Sequence, residues 1–257
     1  MKNILNKFHI SIYTYLFIFL CFISGYIKNI LIIFFICIIH EFGHLIFISI
    51  FKYKIKRVEI LPFGGYTRID KLLNSSINKD LIISIGGILM QLLLFIGLYY
   101  IKSYLNTYTY NLFIYYNKIL IIFNLLPIIP LDGSKIINLL LDKYLSFRLS
   151  YLSNLYISII FLILFLMFNY IYNYDNYFII IFLFYSIITY YKNYKYIINR
   201  FLLERYLYNN NYSKIEYHTK DIKDLKKDTY HYFDYHNTFI SEKQKLRDLF
   251  DNKSNIW

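Results

Sequence analysis

The sequence predicts an all-α polytopic membrane protein of about six transmembrane helices, with a small hairpin-like cytoplasmic or re-entrant loop and a short α+β cytoplasmic tail. Of 257 residues, 58% are hydrophobic and only 17% charged, too apolar for an ordinary soluble domain. The apolar residues gather in runs about one bilayer thick. The net charge of +12 comes from Lys and Arg between those runs and in the tail, where cytoplasmic loops collect them. No basic helix or stacking platform accompanies that charge, so a nucleic-acid partner is not expected. Residues 1–198 read as the membrane domain and 199–257 as the tail.

Hydropathy places spans at about 10–26, 30–50, 81–101, 114–142, 152–170 and 177–191. The first follows Lys2 and Lys7 as a leader's apolar region would, but its cleavage pattern is poor and another span follows at once, so it reads as a retained helix. Cys21 and Cys37 lie inside spans and read as small core residues rather than a disulfide. Seven basic residues fall from Lys52 to Lys79, and Lys143, Arg148, Lys192 and Lys195 follow the fourth and sixth spans, which predicts cytoplasmic termini.

Between the second and third spans, Val58, Ile60 and Leu61, then Pro62-Phe63-Gly64-Gly65, then Tyr66 to Ile69 read as two extended pieces around a glycine turn. This segment is either a connecting loop or an open edge onto which an extended substrate could add a strand; Gly64 and Gly65 would allow close backbone approach. The third span carries Gly86, Gly87 and Gln91, which read first as helix-packing residues, with a part for Gln91 in the site as the second reading. The fourth is broken by Pro127, Pro130 and Gly133, and backbone freed at membrane depth must line protein or a cavity. The fifth and sixth read as structural. In the tail, Lys214–His218, Tyr230–His236 and Thr238–Ile240 suggest strands, and Ser241 with Gln244 suggests the start of a last helix. His218, His231 and His236 lack the spacing of a structural zinc site and read as solvated.

The chemistry gathers in the second span, at His40-Glu41-Phe42-Gly43-His44. Residues four apart share a helix face, so both imidazoles can ligate one Zn2+ while the glutamate beside them activates the attacking water. Such a motif arises by chance in only about one sequence in several hundred of this composition. A catalytic zinc wants a third protein ligand. Asp132 is the one carboxylate between Asp80 and Asp142. Its depth matches: roughly 16 Å of helix separate it from Lys143, against roughly 9 and 15 Å between His44 and His40 and the end of their span. Asn124 is placed to hold the substrate carbonyl or backbone.

These residues, with Leu61-Pro62-Phe63-Gly64-Gly65 and Asn124-Leu125-Leu126-Pro127-Ile128-Ile129-Pro130-Leu131-Asp132-Gly133, resemble the site-2 intramembrane metalloproteases. More narrowly they are similar to the stage IV sporulation (FB) branch, over about residues 1–205. The resemblance implies one zinc per chain held by His40, His44 and Asp132, Glu41 as general base, and Asn124 near the substrate. It also implies a pro-sigma-K-like precursor as substrate, membrane proteins that restrain the enzyme, a possible oligomer, and a place in the outer forespore membrane. The tail carries no convincing pattern for the nucleotide-sensing module of that branch, and Gln91 stands where relatives often have Asn. Another membrane substrate such as an anti-sigma factor is the alternative. A metal transporter would instead spread ligands over repeated helices.

Overall fold

The computed structural model describes residues 8–10, 25, 27–61, 64–172, 177–208, 212–235 and 238–251. They form two compact units, one from 1–71 with 82–125, the other from 72–81 with 126–257. Among the described residues, three helices are long and apolar enough to cross a membrane: α1 (Ile27–Ile50), α2 (Ile77–Tyr100) and α5 (Phe147–Tyr172). A fourth apolar helix, Tyr177–Lys192, is shorter. The first expected span, about 10–26, lies outside the described residues except for Ile10 and Gly25.

In the first unit, α1 and α2 approach through glycine. A Cβ on Gly43 would overlap the Gly86 carbonyl oxygen, and one on Gly86 would reach within 2.8 Å of the Gly43 oxygen. Small residues at the contact permit such approach in lipid, as Gly86 and Gly87 led one to expect. Helix α3 (Thr107–Leu125) packs on α1 through Phe113, edge-on to Phe35 at 5.9 Å. Its start is capped by Asn106 Oδ1, which accepts from the Tyr108 amide at 3.1 Å. Strands β2 (Lys54–Leu61) and β3 (Gly64–Asp70) pair antiparallel, with Leu61 opposite Gly64. Both are longer than the extended pieces expected. The outer edge of β2 is not open, because β1 (Phe8–Ile10) pairs parallel to it, His9 opposite Glu59. Main-chain pairing so distant in sequence leaves no local signal. Pro62 and Phe63, at the turn, lie outside the described residues.

The second unit corrects the single fourth span. After α3 ends at Leu125 the chain turns through Pro127 and Pro130, with Leu131 N donating to Ile128 O at 2.8 Å, and α4 (Asp132–Asp142) begins. Proline lacks a donor and clashes with the preceding turn, so no helix runs through both positions. After α5 come α6 (Tyr177–Lys192), α7 (Tyr194–Leu207), a small sheet of β4 (Lys214–Thr219), β5 (Thr229–Tyr235) and β6 (Thr238–Ser241), and α8 (Glu242–Asp251). The tail strands and last helix thus fall where expected within a residue or two, and the Gln244 amide donates to Ser241 Oγ at 3.4 Å. The turn residue Asn237 and His236 lie outside the described residues.

The tail shares a core with the start of α5. Phe147 stacks on Phe201 at 4.0 Å, and Leu202, Leu225, Phe233 and Leu246 complete the cluster. Arg205, 1% exposed, is buried in it with every donor used. Its guanidinium pairs with both Glu242 oxygens and donates to Asn74 Oδ1, Lys226 O and Thr229 O. Glu242 also accepts from the His231 amide at 3.2 Å. A second buried pair joins Lys227 Nζ to Asp80 Oδ2 at 2.8 Å. His231 corrects the expectation of solvated histidines: it is fully buried, with Nδ1 at 2.9 Å from Thr219 Oγ1 and Nε2 accepting from the Lys226 amide at 3.0 Å. Burial first, and the Arg205 charge second, push its imidazole pKa down to about 4. His218 is exposed and faces Asp234 at 3.1 Å.

Candidate metal centre

Helix α1 is built from Ile, Phe and Leu, which hide its backbone polar groups in lipid, so its three central polar side chains must be accommodated by protein. His40 and His44, one turn apart, are 6% and 8% exposed. Their Nε2 atoms lie 3.1 Å apart and their rings are edge-to-face at 4.8 Å. Each Nδ1 meets an oxygen of α2: His44 donates to Ile83 O at 2.7 Å, and His40 donates to Gln91 Oε1 at 3.0 Å. A carbonyl or amide oxygen can only accept, so the Nδ1 protons are committed to these bonds. With Nδ1 so committed, a ring that carries one proton presents its Nε2 lone pair toward the other. Two lone pairs at that distance repel unless a cation lies between them, so this donor set fits a divalent metal. Gly87 supplies the room: a Cβ there would stand 2.6 Å from both Nε2 atoms.

Glu41 follows His40 on α1 and is half-buried. Asp132 opens α4 in the second unit, is 4% exposed, and accepts from Lys135 Nζ at 2.7 Å. Among the described residues, the first unit contributes His40 and His44 and the second contributes Asp132 as metal-ligating side chains. Asn124 sits half-buried in the last turn of α3, and Gly64 and Gly65 open β3 opposite Leu61 and Ile60. Among the described residues, no hydrogen bond joins these three to the imidazole pair. Gln91 exceeds the packing part first expected of it, since it is fully buried and bonded to His40. Asn117, also fully buried, donates to the Gln91 carbonyl at 3.0 Å. One asparagine in a Tyr- and Asn-rich helix carried no sequence signal.

Comparison with known proteins gives the class to which this arrangement corresponds. Residues 28–111 match the model of peptidase family M50. The fold is shared with the solved site-2 protease of Methanocaldococcus jannaschii, with a TM-score of 0.54 over 71% of this chain and 89% of that one, at 24% identity. The chain therefore resembles the site-2 metalloproteases. Within that class it is similar to stage IV sporulation protein FB of Bacillus subtilis, at 32% identity over 164 residues, 63% of this chain and 57% of that protein. It is also 30% identical over 114 residues, 41% of its length, to a zinc metalloprotease of Methanocaldococcus jannaschii. The chain spans 57% and 32% of the length of these two curated relatives. The family match takes in the α1 motif and Gln91 but ends before Asp132.

Proposed function

We propose that this chain is a zinc-dependent intramembrane endopeptidase acting on a membrane-associated regulatory protein, the pro-sequence of a sporulation sigma factor of the sigma-K type. The observation that carries this reading is the buried imidazole pair on α1, with both Nδ1 protons held and both Nε2 atoms converging. His40, His44 and Asp132 hold the metal, one ion per chain. When bound, zinc polarises a peptide carbonyl and makes water a nucleophile near neutral pH. Glu41 lies roughly 100° around the helix from His40 and roughly 60° from His44, so its carboxylate shares their side of α1. It takes the proton of the attacking water and delivers it to the leaving amine. Asn124 holds the substrate carbonyl or backbone, and the Gly64-Gly65 turn lets the substrate backbone pass close by.

The three long apolar helices support an integral membrane protein. Residues 1–198 form its catalytic membrane domain and 199–257 its tail, with both termini cytoplasmic. By this reading the chain sits in the outer forespore membrane under membrane proteins that restrain it, in keeping with its similarity to a stage IV sporulation protein. Co-expression with a pro-sigma-K precursor tests the substrate. The wild type shortens the precursor, whereas Glu41→Gln and Asp132→Ala leave it intact. Wild-type protein that binds zinc yet spares this precursor while cleaving an anti-sigma factor refutes the substrate assignment.

A further inference from the structure

The amide at Gln91 has no packing rationale. It lies on α2, in a stretch where every neighbour from Ile88 to Leu94 is apolar, and it is fully buried. Among the described residues its Nε2 has no hydrogen-bond partner, and neither has the Oδ1 of Asn117. Each orphan group costs stability in an apolar interior. A leucine at position 91 would avoid one of those losses outright. What the amide provides instead is a single acceptor, Oε1, at 3.0 Å from His40 Nδ1. The Gln91 carbonyl is meanwhile held by Asn117 Nδ2 at 3.0 Å, which ties that turn of α2 to α3.

The rest of α2 is arranged to the same end. Ile83, whose carbonyl takes the His44 proton, and Gln91 are eight residues apart, roughly 12 Å along the helix. Gly87 falls midway, where its missing side chain leaves space for both Nε2 atoms. His44 receives its acceptor from the main chain, a contact that no substitution of a side chain can remove. The His40 Nδ1 instead finds its acceptor in a side chain. We propose that Gln91, steadied by Asn117, is a positioning residue for zinc. It fixes the tautomer and ring angle of His40 so that Nε2 is the coordinating nitrogen. This rests on the zinc reading given above, and it adds a determinant outside the two-histidine, one-aspartate set.

Two substitutions separate positioning from packing. Gln91→Leu fills the same volume without an acceptor, and Gln91→Glu keeps a carboxylate oxygen in the acceptor's place. The full chain, purified in nanodiscs and stripped of metal, is titrated with zinc against a chromophoric chelator, while thermal melting of the metal-free protein reports the fold. Gln91→Leu should weaken zinc binding by about 10- to 100-fold with an unchanged or higher melting point. Gln91→Glu should stay within about threefold of wild type. Asn117→Ala should fall between the two. Wild-type affinity in Gln91→Leu overturns the inference and leaves the zinc reading standing, as does equal loss in Gln91→Leu and Gln91→Glu. A wild-type chain that takes up no zinc overturns the zinc reading, and this inference with it.

Discussion

Replacing Arg205 by Met should loosen the core that the tail shares with α5. The Arg205 and Glu242 side chains are 0% and 1% exposed, so their pairing is not weakened by solvent screening. Methionine fills much of the space beside Phe201 and Tyr212, over which the guanidinium lies at 5.2 and 4.8 Å. It leaves the Glu242 carboxylate buried without its counter-charge and strips the donor from Asn74 Oδ1, Lys226 O and Thr229 O. Breaking one half of a buried pair costs about 3–5 kcal/mol. That corresponds to a roughly hundred- to several-thousand-fold larger opened population. Proteolysis of the full chain in nanodiscs reads it directly, because cleavage within residues 212–251 follows that population when reclosing is fast. Pairing Arg205→Met with Glu242→Leu should recover at least about 2 kcal/mol, since the uncompensated charge is gone. The recovery stays incomplete because the His231 amide loses its acceptor. Less than a tenfold rise in cleavage for the single variant, or no recovery in the double, would show that the Arg205–Glu242 pair does not hold the tail closed.

Two further outcomes follow from the same structure. In Gly87→Ala the new Cβ falls 2.6 Å from both Nε2 atoms, so zinc content should drop below about a tenth of wild type while helix α2 gains propensity and the fold is kept; elemental analysis showing one zinc per folded chain would contradict it. His231 titrates at about 4 in the fold, held neutral by burial and then by Arg205, whereas the unfolded chain protonates it near the ordinary value of about 6.5. The unfolded state therefore binds more protons between these values. Tail stability should be flat above about pH 7 and fall by at most about 3 kcal/mol as pH drops toward 4. A tail cleavage rate in His231→Asn that keeps the wild-type pH dependence would show that another group governs it.

What was legible in the sequence is what local spacing encodes. Two histidines four apart lie on one face of any helix, so the close imidazole pair followed from His40 and His44 alone. Pro127 and Pro130 announced the break between α3 and α4 but not that α4 would start at Asp132. Helix α7 was concealed by its own function: Ile197, Ile198, Phe201 and Leu202 mark an apolar stripe, but the next position on it is Arg205, which reads as surface until its partner Glu242 is known. His231 misled for the same reason, since its burial depends on strands paired across the tail. The strand pairing of Phe8–Ile10 with Val58–Ile60 joins segments about fifty residues apart through main-chain bonds, which no side-chain pattern records. Gln91 was noticed, but a lone glutamine in a span serves packing or positioning equally well until the atom facing it is identified.

On the function proposed above, Glu41 moves the proton while other residues hold the metal. Purified Glu41→Gln should retain one zinc per chain and the wild-type zinc affinity, yet show no cleavage of the precursor above background. Cleavage by Glu41→Gln at the wild-type rate, with zinc in place, would contradict it.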